Sequence, residues 1–244
     1  MVLAWILGCV LAGSIGAVAI AGGFLLFPDQ IRRQVLPALI SYATGSLLGG
    51  AFLGLLPHAL EHEAPGSVLP YVFAGIVLFF ILEKLVIWRH CHIEHCTIHS
   101  AAGSLVIVGD AVHNFADGII IAAAFLTSTD LGIAASIAVI AHEIPQEVGD
   151  FAILLDSGYS VRRALFLNIA SSLAALVGAV GAYFVLNQMA SILPYVMAVS
   201  AASFIYIAGA DLIPGLHRSV SPKHSVQQVL LLIAGAATIW LLHH

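Results

Sequence analysis

Eight apolar runs, near residues 2–27, 35–57, 68–88, 103–126, 131–155, 164–187, 192–214 and 226–242, take up nearly all of this chain. Each is close to the roughly 20 residues that a helix needs to cross about 30 Å of hydrocarbon. They are too long and too poor in alternation to be strands of an outer-membrane barrel. Only 9% of the 244 residues are charged, against about 25% in a soluble domain. So few charges cannot cover a water-facing surface. A net charge of −5 gives a polyanion nothing to hold, which excludes a nucleic-acid partner. The expected fold is all-α: a polytopic membrane protein of eight transmembrane helices, one transmembrane domain over 1–244, with the lipid bilayer as a partner.

The first run has no Lys or Arg before Arg32 and is longer than a signal peptide's apolar core, so it is expected to stay as a span. Residues 6–9 resemble a lipidation signal only faintly, without a basic start. All eight basic residues fall in or at the edge of alternate connections: Arg32 and Arg33, Lys84 and Arg89, Arg162 and Arg163, Arg218 and Lys223. The positive-inside rule makes those connections cytoplasmic and puts both termini outside. The expected setting is the plasma (inner) membrane. Three cysteines do not make a disulfide framework. A weak internal repeat pairs Ser46, eleven residues before Pro57, with Ser203, eleven before Pro214. The two segments run in opposite directions, as inverted repeats do in secondary transporters.

The fourth and fifth runs hold what lipid does not tolerate: Asp110, His113, Asn114, Asp117, His142, Glu143, Gln146, Glu147 and Asp150. An ionised side chain at bilayer centre costs about 2.5–3.5 kcal/mol, so five lipid-facing carboxylates would cost roughly 12–18 kcal/mol. They must face protein, water or a cation. Asp110, His113 and Asp117 lie on one helical stripe; His142 and Gln146 share another, with Glu143, Glu147 and Asp150 beside it. A His and an oxygen ligand at i and i+4 can both reach one ion. Counted at 1.5 Å per residue, His113 and His142 both fall near mid-membrane. Asn114, Asp117 and Glu143 could hold a second ion beside the first. Pro145 lacks an N–H and crowds the Ala141 carbonyl, so a bend is expected inside the cluster. Imidazole with carboxylate suits Zn²⁺, Fe²⁺, Mn²⁺ or Co²⁺, and the absence of thiolate there argues against Cu⁺.

These residues carry a resemblance. GDAVHNFADG at 109–118 and AHEIPQEVGDFA at 141–152 resemble the motifs of the ZIP (Zrt/Irt-like) family of divalent-metal transporters. Supporting similarity lies in LLGGAFLGLLPHALEH at 47–62 and SFIYIAGADLIPGLH at 203–217. The resemblance implies a 3+2+3 helix arrangement, a metal site between helices 4 and 5, and movement of metal into the cytoplasm by alternating access. It implies His113, Asp117, His142 and Gln146 as the primary site, and Asn114, Asp117, Glu143 and Gln146 as the second. It implies a divalent metal, zinc first, as transported substrate, with no catalytic cofactor and no enzymatic activity. A homodimer is carried as an expectation. Three departures stand out: Gln146 where many relatives carry His or Glu, only Asn168, Ser171 and Ser172 on helix 6, and glycine at 50, 54 and 215 where parts of the family are polar.

Along the path, His58, Glu61, His62 and Glu63 end helix 2 on the outside and could concentrate cations. Asp110, Glu147, Asp150 and Asp211 lie cytoplasmic of the centre and could pass an ion onward. The stretch 90–99, with His90, Cys91, His92, His95, Cys96 and His99, has metal-ligand density but fits no standard zinc module. The rival from another class is an intramembrane zinc metalloprotease, since His142-Glu143 begins an HExxH pattern. Position i+4 is Gln146, however, and Pro145 interrupts the helix between.

Overall fold

The computed structural model describes residues 1–88, 98–217 and 222–243. Among them there are helices and no strands. Eight rods follow in order, several made of consecutive segments. They are α1 (Val2–Phe24), α2 (Asp29–Gly49, Gly50–Leu55, Leu56–His62), α3 (Pro65–Trp88) and α4 (Ile98–Thr127). Then come α5 (Thr129–Asp156), α6 (Val161–Ser172, Ala174–Gln188), α7 (Ala190–Leu216) and α8 (Pro222–His243). Seven are long and apolar enough to cross a membrane, and α5 is the one that its polar residues keep out of that set. α1 stops at Phe24, short of the expected 27: Leu25, Leu26 and Phe27 close in turns before Pro28, because the residue before a proline is pushed out of the helical region.

α5 is the hub. It packs against α1, α2, α4, α6 and α8, while α2 pairs with α8, α3 with α7, and α4 with the second half of α6. Large side chains such as Phe73, Phe166, Val177, Leu230 and Trp240 point outward, and the interior is rich in alanine. Only the outer surface has to satisfy lipid. Without a hydrophobic force between helices in lipid, close backbone approach does the holding, and small residues permit it. A Cβ on Gly118 of α4 would strike the Ala175 carbonyl of α6, and one on Gly178 would strike the Phe115 carbonyl. Gly45 and Gly235 make the same kind of approach between α2 and α8, beside a Tyr42–Thr238 hydroxyl bond of 3.0 Å.

Two rods widen locally into π-helix. The stretch Gly50–Leu55 comes four residues after Ser46 and two before Pro57; Ile207–Leu212 comes four after Ser203 and two before Pro214. Each ends with an i→i−5 bond, Leu56 N–H to Ala51 and Ile213 N–H to Ala208. A proline cannot donate to its own helix and its ring crowds the preceding turn, so the extra residue per turn relieves the clash. Between α3, α4 and α7 an apolar cavity of about 510 Å³ remains, lined by Tyr71, Phe79, Val112, Phe115, Tyr195 and Val199 among others.

Candidate metal centre

α4 and α5 meet through a single connecting residue, Ser128, whose hydroxyl caps α5 by accepting the Leu131 N–H at 3.1 Å. Capping and a first-turn Asp130 favour a helix start there. Gly132 lies against the Phe125 ring, where no side chain would fit, so the two helices leave the turn in close contact. From this turn His113 lies fifteen residues down α4 and His142 fourteen down α5. At 1.5 Å per residue both are about 20 Å inward, near the middle of their helices.

There the two imidazoles face one another edge to face, with Nε2 atoms 3.0 Å apart. His142 Nε2 lies 3.1 Å from Asp117 Oδ2; His113 Nε2 lies 3.7 Å from that oxygen and 3.5 Å from Glu143 Oε1. One ligand atom from each of His113, Asp117, His142 and Glu143 falls within 4.8 Å of all the others. His142 Nδ1 donates to the Ala138 carbonyl at 3.0 Å, which fixes the tautomer and leaves the Nε2 lone pair facing the cluster. Asp117, His142 and Glu143 are each 1% exposed, and no carboxylate oxygen of Asp117 or Glu143 accepts a hydrogen bond. Buried acceptors without donors are costly unless something positive satisfies them.

Gln146 follows one turn after His142 on the same face of α5. Its Nε2 reaches Asp110 Oδ1 at 3.4 Å, the same oxygen to which Asn114 Nδ2 donates at 2.9 Å. Asp110, Glu143 and Glu147 form a second group with ligand atoms within 4.8 Å of one another. The reason is direction. α4 climbs while α5 descends, so Gln146 is a turn inward of His142, level with Asp110, whereas Asp117 is a turn outward of His113.

The protein-family model described as ZIP Zinc transporter matches residues 88–243. The chain belongs to the ZIP zinc transporter family. "Zinc transporter ZIP13" of Pongo abelii is 33% identical over 95% of this chain and 76% of its own length. "Zinc transporter ZIP13 homolog" of Drosophila melanogaster is 30% identical over 86% of this chain and 78% of its own. The mouse "Zinc transporter SLC39A7" is also 30% identical, over 87% of this chain, which spans 63% of that relative's length. Metal transport by a multi-pass membrane protein is what membership of the ZIP family indicates.

The remaining residues singled out in this ZIP sequence are spread along the rods. His58 is half-buried with Nδ1 3.2 Å from the Gly54 carbonyl, and His62 Nδ1 lies 2.9 Å from the His58 carbonyl; Glu61 and His62 are exposed. Both imidazoles therefore face their own helix through Nδ1 and keep Nε2 for other partners. Asp150 is half-buried and its Oδ2 has no hydrogen-bond partner. Asp211 is exposed on the π-helical stretch of α7, near the Tyr206–Glu83 hydrogen bond that ties α7 to α3. His90, Cys91, His92, His95 and Cys96 lie outside the described residues, and His99 is described only as part of α4. Asn168 of α6, which the sequence marks only as a departure from the family, is 0% exposed with neither amide atom partnered. An amide inside an apolar helix was the available signal.

Proposed function

We propose that this chain carries divalent transition-metal ions, zinc first, into the cytoplasm through the site between α4 and α5. The observation that carries the reading is the quartet His113, Asp117, His142 and Glu143, three of them buried, with all four carboxylate oxygens lacking a hydrogen-bond partner. Two imidazoles and two carboxylates are a good donor set for Zn²⁺ and for its first-row neighbours. The relatives' description as zinc transporters puts zinc at the head of that group. Asn114 and Gln146, whose amide N–H groups both reach Asp110, stand as further ligands beside the quartet.

Entry is from the outer side, past His58, Glu61 and His62, and exit is past the inner acids Asp110, Glu147, Asp150 and Asp211. The alternation of basic loops supports both termini lying outside. A 3+2+3 plan with inverted repeats is supported by the matched π-helical stretches of α2 and α7, each at the same offset from its proline. Access alternates as the other helices slide against α4 and α5; the apolar cavity beside α4 leaves room for that motion.

The test is metal uptake into proteoliposomes by wild type, His113→Ala and His142→Ala. Loss of two imidazoles from the quartet should lower flux at least about tenfold each, because even residues that only orient ligands are worth 10–100-fold. Equal flux in all three removes the site. Peptide cleavage that Glu143→Gln abolishes would favour a protease instead.

A further inference from the structure

We infer that a second cation station, built only of oxygen ligands, lies one helical turn cytoplasmic of the quartet on Asp110, Glu143 and Glu147, and that Glu143 belongs to both. This rests on the carrier reading above and names the next step of the ion's route. The three carboxylates come from facing helices, Asp110 from α4 and the two glutamates from α5, and their ligand atoms converge within 4.8 Å. They are buried: Asp110 is 4%, Glu143 1% and Glu147 0% exposed. Both oxygens of Glu143, both of Glu147 and Oδ2 of Asp110 lack hydrogen-bond partners. Neither α4 nor α5 contains a Lys or Arg to neutralise them.

The surroundings orient the group rather than satisfy it. Asn114 and Gln146 both direct side-chain N–H groups at Oδ1 of Asp110, at 2.9 and 3.4 Å, which fixes that carboxylate and leaves Oδ2 for the ion. Outer ligands of this kind hold first ligands in place at metal sites. An oxygen-only station ranks cations differently from a site with two imidazoles: it favours harder ions such as Mn²⁺ over softer ones such as Cd²⁺. Glu143 lies 3.5 Å from His113 and also in the inner group, so an ion can change stations without ever leaving that carboxylate.

The experiment uses the full-length protein in lipid nanodiscs. Mn²⁺ binding is read by EPR of the free ion and Cd²⁺ binding by equilibrium dialysis. In a His142→Ala background, Cd²⁺ binding should weaken while a Mn²⁺ site persists. Adding Glu147→Gln or Asp110→Asn should then weaken Mn²⁺ at least about tenfold, and Glu147→Asp, which keeps the carboxylate, should retain binding. Unchanged Mn²⁺ affinity on adding Glu147→Gln and Asp110→Asn overturns the station, as does loss of both metals on His142→Ala alone. Cd²⁺ binding indifferent to His142→Ala, with Mn²⁺ still lost in Glu147→Gln, would sink the quartet and leave the inner station standing.

Discussion

Gly118→Ala adds one methyl group at the seam that holds α4, and therefore Asp117, against α6. Its Cβ would sit 2.8 Å from the Ala175 carbonyl carbon and 2.8 Å from the Ala179 nitrogen, and closer still to the Ala175 oxygen. Comfortable heavy-atom contact begins at about 3.5 Å, so the helices must part by about 0.7 Å or more. Overpacking on this scale costs about 1–3 kcal/mol. Gly181, one turn on from Gly178 in α6, is the control, since a Cβ there meets nothing within 4 Å. Gly181→Ala should gain about 0.5–1 kcal/mol from the lower backbone entropy of alanine. With about 2–4 °C of melting shift per kcal/mol for a chain of this size, the two variants should move in opposite directions by several degrees. The assay is the temperature at which purified protein loses its monodisperse size-exclusion peak. Metal uptake should fall with Gly118→Ala too, since a misplacement of about 1 Å can cost a binding constellation up to about a hundredfold. If Gly118→Ala melts at or above Gly181→Ala, the close approach of α4 and α6 is not what holds this part of the bundle.

Protons compete with a metal ion for imidazole and carboxylate ligands, so Cd²⁺ affinity should fall on acidification; a flat profile in equilibrium dialysis would remove His113 and His142 as ligands. Asn168→Leu replaces a fully buried amide with no partners. Because an unmet buried polar group costs about 1–3 kcal/mol, that variant should melt higher by the same size-exclusion assay, and a lower melting point would mean that the amide holds something. Tyr206→Phe removes the exposed hydrogen bond to Glu83, and its melting point should fall by no more than the equivalent of about 1 kcal/mol. A larger loss would make the α3–α7 tie structural.

Much of the site was legible because lipid makes polar residues conspicuous. His113, Asp117 and His142 stand out from apolar helices on any reading, and a one-residue turn leaves α4 and α5 no choice but to be antiparallel neighbours. The contact of Gln146 with Asp110 is legible too, once the stripes are counted in opposite directions. A residue four further along α5 descends, while four further along α4 ascends, so Asp117 and Gln146 lie on opposite sides of the histidine level. Helical pitch alone groups His142 with Gln146 on one face; the direction of the chain then separates what each can reach across the gap.

Length and apolarity of the runs determined the helices, and the placement of eight basic residues determined the expected orientation, because a single chain in hydrocarbon must satisfy its own backbone within each span. The identity of the polar residues determined that α4 and α5 are where an ion would be held. Only tertiary structure decided which helices touch: that α4 lies on α6 and α2 on α8 through glycines whose neighbours are more than fifty residues away. It also decided that Glu143 comes within reach of His113, Asp117 and His142, and that the amide N–H groups of Asn114 and Gln146 point at Asp110. Those outcomes depend on the rotation of one helix against another, which is set by close packing across the whole bundle and leaves no local trace in the sequence.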